Sequence, residues 1–127
     1  MFVDTSVLIN YLRTLDAQML ALMQQHGASV CGVVRAEVLC GTLGPKHRHR
    51  LLNVLNSFQQ ISTPEALWDT VGDNLAVLRA TGVSVPFSDV VIASIAIGNN
   101  LELWARDRHF PIIQQHLPAL RLFQEPP

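Results

Sequence analysis

Four acidic residues, Asp4, Glu37, Asp89 and Asp107, lie beside apolar segments and are separated by gaps of 33, 52 and 18 residues. Carboxylate oxygens are the ligands that hard divalent cations such as Mg²⁺ prefer. Pairs of such ions promote hydrolysis of phosphodiester bonds by activating water and stabilising the leaving oxygen. Four carboxylates brought together would repel one another, so their convergence would itself predict a bound cation.

Apolar segments of strand length alternate with helical patterns along the chain. We expect strands at residues 2–3, 29–32, 61, 101–104 and 120–123. Helices are expected at residues 5–15, 16–27, 33–41, 51–58, 62–82, 86–97 and 112–117. The helix at 62–82 has Ser62 and Glu65 at capping-box spacing. This alternation predicts the α/β class, a three-layer α/β/α sandwich with a central, mainly parallel sheet.

Three of the four acids, Asp4, Glu37 and Asp107, are each predicted to follow a strand. Ligands of open parallel sheets bind at the carboxyl ends of the strands. The fourth acid, Asp89, is predicted in the first turn of an almost wholly apolar helix, where interaction with the helix dipole is an alternative explanation. We therefore expect the acids to share one edge of the sheet.

The composition predicts a single folded domain spanning residues 1–127. Hydrophobic residues make up 49% of the chain and charged residues 15%, which indicates a well-filled core. No apolar run reaches the roughly 18 residues that span a bilayer, and no basic segment precedes an apolar stretch near Met1. We therefore expect no membrane association and a cytoplasmic location.

The formal net charge of −1 lacks the basic balance that favours non-specific binding of nucleic acids. Positive charge is nevertheless concentrated locally, which nominates phosphate contacts from Lys46, Arg48, Arg50, Arg106 and Arg108. Two alternatives remain open: residues 46–50 form a solvated helix end, and Arg108 forms an ion pair with Asp107.

The cysteines and histidines receive no chemical role from their spacing. Cys31 and Cys40 match no zinc motif and are expected to behave as small buried hydrophobes. The histidines at 26, 47, 49, 109 and 116 lack the H-x-x-x-H pattern of a metal-binding helix face, so we do not expect zinc catalysis.

Four motifs, in order, resemble the PIN-domain family, and the match runs nearly end to end. MFVDTSVLI at residues 1–9 resembles the opening motif, an apolar strand that ends in Asp followed by small hydroxylated residues. RAEVLCG at 35–41 resembles the second, a helical Glu with Gly four residues later. PFSDVVIASIA at 86–96 and LELWARDRHF at 101–110 are similar to the third and fourth. The spacing resembles that of the short VapC-like toxins within the family.

The resemblance implies an endoribonuclease that hydrolyses RNA with metal-activated water and is the toxin of a toxin–antitoxin pair. Mg²⁺ is the implied cofactor, with Mn²⁺ as a substitute. The implied partners are RNA, a cognate antitoxin and a second copy of the chain. The implied catalytic and metal-binding residues are Asp4, Glu37, Asp89 and Asp107, with Thr5 and Ser6 positioning the metal or water. A helix N-cap is an alternative role for Thr5 and Ser6.

One departure from the family pattern keeps a second hypothesis open. VapC-like chains commonly have Thr or Ser two residues before the fourth acid, where this chain has Ala105. A missing hydroxyl would weaken the orientation of Asp107, so a catalytically weak or inactive PIN module that binds protein or RNA is the alternative. An aspartate-nucleophile phosphatase is disfavoured, because Ser6 occupies the position where that class needs a second Asp.

Overall fold

The computed structural model describes all 127 residues and contains a five-stranded sheet with the strand order β3-β2-β1-β4-β5. Every neighbouring pair of strands is parallel. The predicted α/β architecture is confirmed, with an all-parallel sheet and helices around it. The strands are β1 (Phe2–Val3), β2 (Ser29–Cys31), β3 (Gln59–Ile61), β4 (Glu102–Trp104) and β5 (Arg121–Leu122).

Seven helices connect and flank these strands. No helix combines the length and the apolar character needed to cross a bilayer. The helices are α1 (Thr5–Thr14), α2 (Ala17–Gln25), α3 (Gly32–Cys40), α4 (Pro45–Asn56), α5 (Ala66–Ala80), α6 (Phe87–Gly98) and α7 (His109–His116).

The ends of α2 are where its sequence predicts them. Asp16 Oδ1 accepts hydrogen bonds from Gln18 N at 2.8 Å and Met19 N at 3.0 Å, which satisfies two N–H groups that have no partner within the helix. After the last turn, Gly27 has a φ of +60°, a left-handed conformation that glycine adopts without a steric cost.

The predicted capping box at Ser62 and Glu65 is wrong, because α5 begins at Ala66 and Glu65 is itself in helical conformation. Backbone carbonyls replace the predicted side-chain cap. Pro64 O accepts from Leu67 N at 2.9 Å, and Glu65 O accepts from Trp68 N at 3.1 Å. The N-terminal N–H groups are thus satisfied by a tight first turn.

The basic residues at 46–50 form the N-terminal end of α4, as the sequence predicts, and the helix begins at Pro45. Proline is well suited to the first helical position, where its missing N–H costs nothing. Lys46, Arg48 and Arg50 are all exposed on this first part of the helix.

The core lies between the sheet and the helices, and β1 and α6 are at its centre. Phe2 and Val3 of β1 have no exposed surface, and every residue of α6 from Asp89 to Ala96 is buried. Burying a large apolar side chain contributes roughly 1.5–3 kcal/mol. The strand that precedes Asp4 and the helix that carries Asp89 are therefore the most firmly packed parts of the fold.

Candidate active site

Strand ends and helix starts bring the four acids to one edge of the sheet. Asp4 follows β1 directly, Glu37 lies on α3 after β2, and Asp107 follows β4. Asp89 is in the first turn of α6. Asp4 N donates to Trp104 O at 2.9 Å, so the pairing of β1 with β4 continues to the first acid.

Asp4 is buried and acts as the N-cap of α1. Its Oδ2 accepts hydrogen bonds from Ser6 N at 3.0 Å and Ser6 Oγ at 2.6 Å. Ser6 Oγ in turn accepts from Arg106 N at 3.0 Å, which connects Asp4 to the segment after β4. Burial raises the pKa of Asp4, the Ser6 hydrogen bonds partly offset this, and the charge of Glu37 adds to the rise.

Glu37 is exposed on α3 and is held toward Asp4 by the neighbouring threonine. Thr5 Oγ1 donates a hydrogen bond of 2.8 Å to Glu37 Oε1. Because Thr5 adjoins Asp4 in sequence, this bond fixes the second acid relative to the first. The alternative role of Thr5 and Ser6 as the helix N-cap is wrong, since Asp4 itself holds that position.

Asp89 and Asp107 approach each other around a histidine. His109 Nδ1 lies 3.0 Å from Asp89 Oδ2 and 2.9 Å from Asp107 Oδ1. His109 N also donates to Asp107 Oδ1 at 2.9 Å. Burial, followed by the charges of Asp107 and Asp4, raises the pKa of Asp89 to about 6, and His109 opposes this rise.

A chain of short contacts and like-charge interactions therefore links all four acids. The pKa of Asp4 responds to Glu37, and the pKa of Asp89 responds to both Asp107 and Asp4. Mutual repulsion of this kind at a partly buried edge favours the binding of a cation.

The PIN-domain family model matches residues 1–114 of the chain. The chain belongs to the PIN-domain family. A search of curated proteins gave no match.

Solved structures of three toxin–antitoxin complexes have a similar fold to this PIN domain. VapBC2 from Rickettsia felis, bound to a promoter DNA fragment, has a TM-score of 0.82 at 19% identity and covers 98% of each chain. DNA-bound VapBC from Salmonella typhimurium has a TM-score of 0.80 at 17% identity, covering 96% of this chain and 95% of the other. VapBC-5 from Mycobacterium tuberculosis has a TM-score of 0.70 at 18% identity, and the match covers 98% of this chain and 97% of the other.

The donor set of this PIN domain fits a divalent cation. Four carboxylates offer the hard oxygen atoms that Mg²⁺ and Mn²⁺ accept, and two of them are buried against like charges. The three ligand atoms offered by Asp89, Asp107 and His109 lie within 4.8 Å of one another. A positive charge placed among these groups would relieve the repulsion that raises the pKa of Asp89.

Sequence reasoning missed one side chain at the site. His109 was given no role because its spacing to the other histidines matches no metal motif, yet its ring contacts two of the four acids. Its position two residues after Asp107, at the start of α7, is the only local signal. The contact with Asp89 bridges two helices, which a search for spacing within one helix cannot detect.

The arginines after β4 have different environments. Arg106 forms a two-pronged ion pair with Glu125, with Nε–Oε2 and Nη2–Oε1 distances of 3.1 and 2.7 Å, and its guanidinium lies 5.9 Å from the Trp104 ring centre. This hydrogen bonding lowers the pKa of Glu125. Arg108 is exposed and forms no ion pair with Asp107, so that alternative is wrong.

An open groove with a volume of about 360 Å³ lies between the acidic edge and the start of α4. Glu37 and His47 line it together with apolar side chains that include Val38 and Leu43. Leu43 is 88% exposed, which is unusual for a large apolar residue beside a charged site. The arginine that lines this groove is Arg13, whereas Lys46 and Arg50 of α4 line a separate open pocket with Pro45 and His49. None of the basic residues of α4 forms an ion pair with the four acids.

Proposed function

We propose that this chain is a metal-dependent endoribonuclease that hydrolyses RNA phosphodiester bonds and acts as the toxin of a toxin–antitoxin pair. PIN domains are generally nucleases, which supports the reaction class. The single observation that carries the proposal is the convergence of Asp4, Glu37, Asp89 and Asp107 on one edge of the sheet, with two of them buried.

The four carboxylates are the groups that would hold Mg²⁺ or Mn²⁺. A bound ion of this kind supplies a water of lowered pKa and neutralises charge on the phosphate. Ser6 holds the Asp4 carboxylate in place through two hydrogen bonds, and Thr5 holds that of Glu37 through one. Preorganised ligands of this kind avoid the cost of ordering the site when ion and substrate bind.

The proposed substrate is RNA, whose phosphates need cationic partners near the acidic edge. Lys46, Arg48 and Arg50 are exposed on α4, the helix whose His47 and Leu51 line the groove, and Arg108 is exposed next to Asp107. We assign these side chains to phosphate contacts. Arg106 joins them only when its ion pair with Glu125 opens.

The test is cleavage of a fluorophore-labelled RNA by the purified protein with Mg²⁺, with Mn²⁺ and with EDTA. Asp4→Asn and Asp89→Asn are expected to reduce cleavage by at least about 100-fold, because each removes a buried ligand charge. Asp73→Asn is the matched control, since Asp73 is an exposed aspartate in the middle of α5. Circular dichroism verifies that each variant is folded. Full cleavage by either site variant, or in EDTA, would exclude the proposed site.

The catalytically inactive module is disfavoured by the environment of Asp107. Its Oδ1 already accepts a hydrogen bond from His109 N, so its orientation does not depend on a hydroxyl at residue 105. If the wild-type protein bound metal but did not cleave RNA, the inactive module would be favoured over the nuclease.

The toxin role rests on the structural similarity to toxin–antitoxin complexes, and it implies a cytoplasmic antitoxin as partner. We assign the antitoxin to the groove beside Glu37, where the exposed Leu43 offers apolar contact area. We also expect a homodimer formed through helices, for which Trp68 of α5, 41% exposed, is a candidate contact.

Two measurements test these partners. Expression of the chain is expected to stop growth of its host, and co-expression of a small neighbouring open reading frame is expected to restore it. Leu43→Asp should abolish the rescue while growth arrest persists, if the groove binds the antitoxin. Light scattering of the purified chain measures its oligomeric state.

A further inference from the structure

The imidazole of His109 occupies a position that a purely acidic site does not require. Its Nδ1 is 3.0 Å from Asp89 Oδ2 and 2.9 Å from Asp107 Oδ1, and its side chain is 27% exposed. The ring is fixed at the first residue of α7, a helix anchored by the fully buried Phe110 and Ile113. The nitrogen therefore faces the two carboxylates from a rigid support.

These separations suit a nitrogen that shares an ion with the two carboxylates. Donor atoms at neighbouring corners of an octahedron lie about 3 Å apart when each is about 2.1 Å from the ion. The Nδ1–Oδ2 and Nδ1–Oδ1 distances match that value. The two oxygens and the nitrogen also all lie within 4.8 Å of one another, so the three donor atoms form one compact group.

A nitrogen ligand changes which ion the site prefers. Mg²⁺ favours carboxylates and water, whereas imidazole suits first-row transition ions, whose affinity for mixed nitrogen and oxygen sites rises from Mn²⁺ toward Cu²⁺. Carboxylate sites follow the same order of affinity, and an imidazole ligand strengthens the preference for the transition ions.

We propose that His109 Nδ1 is a metal ligand alongside Asp89 and Asp107, and that it makes this site prefer first-row transition ions over Mg²⁺. The inference rests on the proposed function only in assuming that a divalent ion binds at these carboxylates. It assigns a specificity-determining role to a side chain outside the four acids.

Two measurements on the untagged full-length protein test it. Pulsed electron paramagnetic resonance of bound Mn²⁺ detects ¹⁴N coupling when an imidazole nitrogen is a ligand. Calorimetry with Co²⁺ and with Mg²⁺ gives the ratio of their dissociation constants. Both are applied to the wild type, to His109→Asn and to the control His116→Asn, which removes the imidazole at the opposite end of the same helix.

The wild type and the control are expected to show ¹⁴N coupling, and His109→Asn is expected to lose it. The same variant should lower the preference for Co²⁺ over Mg²⁺ by about 10-fold or more. Loss of a residue that only supports a ligand already costs about 10-fold in metal affinity, and loss of an imidazole ligand should weaken binding of Co²⁺ more than binding of Mg²⁺. Absence of ¹⁴N coupling in the folded wild type overturns the inference without any variant. Persistence of ¹⁴N coupling in His109→Asn also overturns the inference.

RNA cleavage measured on the same samples separates this inference from the proposed function. Metal-dependent cleavage by a wild type without ¹⁴N coupling overturns the role of His109 and leaves the nuclease intact. Coupling that depends on His109 in a protein that cleaves no RNA supports the ligand and rejects the nuclease.

Discussion

Replacing Asp89 with asparagine is expected to stabilise the metal-free protein at neutral and alkaline pH. The side chain is 11% exposed, and its pKa is raised from 3.8 to about 6 by burial and then by the charges of Asp107 and Asp4. A carboxyl whose pKa is higher in the folded state resists ionisation there. The wild type therefore loses stability as pH rises from about 4 through about 6, while the asparagine variant does not.

The size of the effect follows from the shift in pKa. A rise of about 2 units corresponds to about 3 kcal/mol of unfolding free energy once Asp89 is fully ionised at pH 8. At pH 4.5 Asp89 is protonated in most of the folded wild type. The unfolding free energy of Asp89→Asn should then exceed that of the wild type by only about 1 kcal/mol. The advantage of Asp89→Asn should thus shrink by about 2 kcal/mol between these two pH values.

Urea denaturation in EDTA at pH 8 and pH 4.5 measures this difference for the wild type, Asp89→Asn and the exposed control Asp73→Asn. The control should change the unfolding free energy by less than about 0.5 kcal/mol at either pH. If Asp89→Asn were no more stable than the wild type at pH 8, or equally stabilised at both pH values, the raised pKa of Asp89 and its explanation by burial and like-charge repulsion would be refuted.

Three further substitutions test individual contacts. Thr5→Val should lower the rate of RNA cleavage about 10-fold with little loss of stability, because it removes the hydroxyl that holds Glu37, a bond to a charged group worth about 1.5 kcal/mol. Glu125→Gln should strengthen binding of a non-cleavable RNA a few-fold at low salt, because it releases Arg106 from its ion pair. Fluorescence anisotropy measures this affinity, and an unchanged value would exclude Arg106 from the RNA-binding surface of the protein. Ala105→Ser should change the cleavage rate by less than about threefold, because a backbone N–H already holds the carboxylate of the fourth acid; a larger gain would show that the missing hydroxyl matters.

Most of the fold could be predicted from the sequence because its signals are local. The apolar residues before Asp4 and Asp107 form buried strands, and the continuous apolar stretch of α6 forms a helix in the core. The edge strand β3 was predicted only at Ile61 because its other residues, Gln59 and Gln60, are exposed and polar. Hydropathy does not identify a strand that faces solvent.

The burial and the contacts of the candidate site depend on residues that are far apart in the sequence, so local sequence patterns do not predict them. The motifs nominate Asp4, Glu37, Asp89 and Asp107, but only the fold reveals that Asp4 and Asp89 are buried against like charges. The contact of His109 with Asp89 likewise joins residues that are 20 positions apart on different helices. Spacing rules within one helix cannot predict such a contact.

The central position of β1 has a consequence for the order of events during protein synthesis. β1 is translated before its neighbour β4, so the bond from Asp4 N to Trp104 O needs a partner that is translated 100 residues later. Contacts between such distant positions are slow to close and cannot form in a shorter nascent chain. A nascent chain that ends before α6 therefore has Asp4 and Glu37 but neither Asp89 nor Asp107. The proposed metal site is complete only after the segment that follows β4 has been translated.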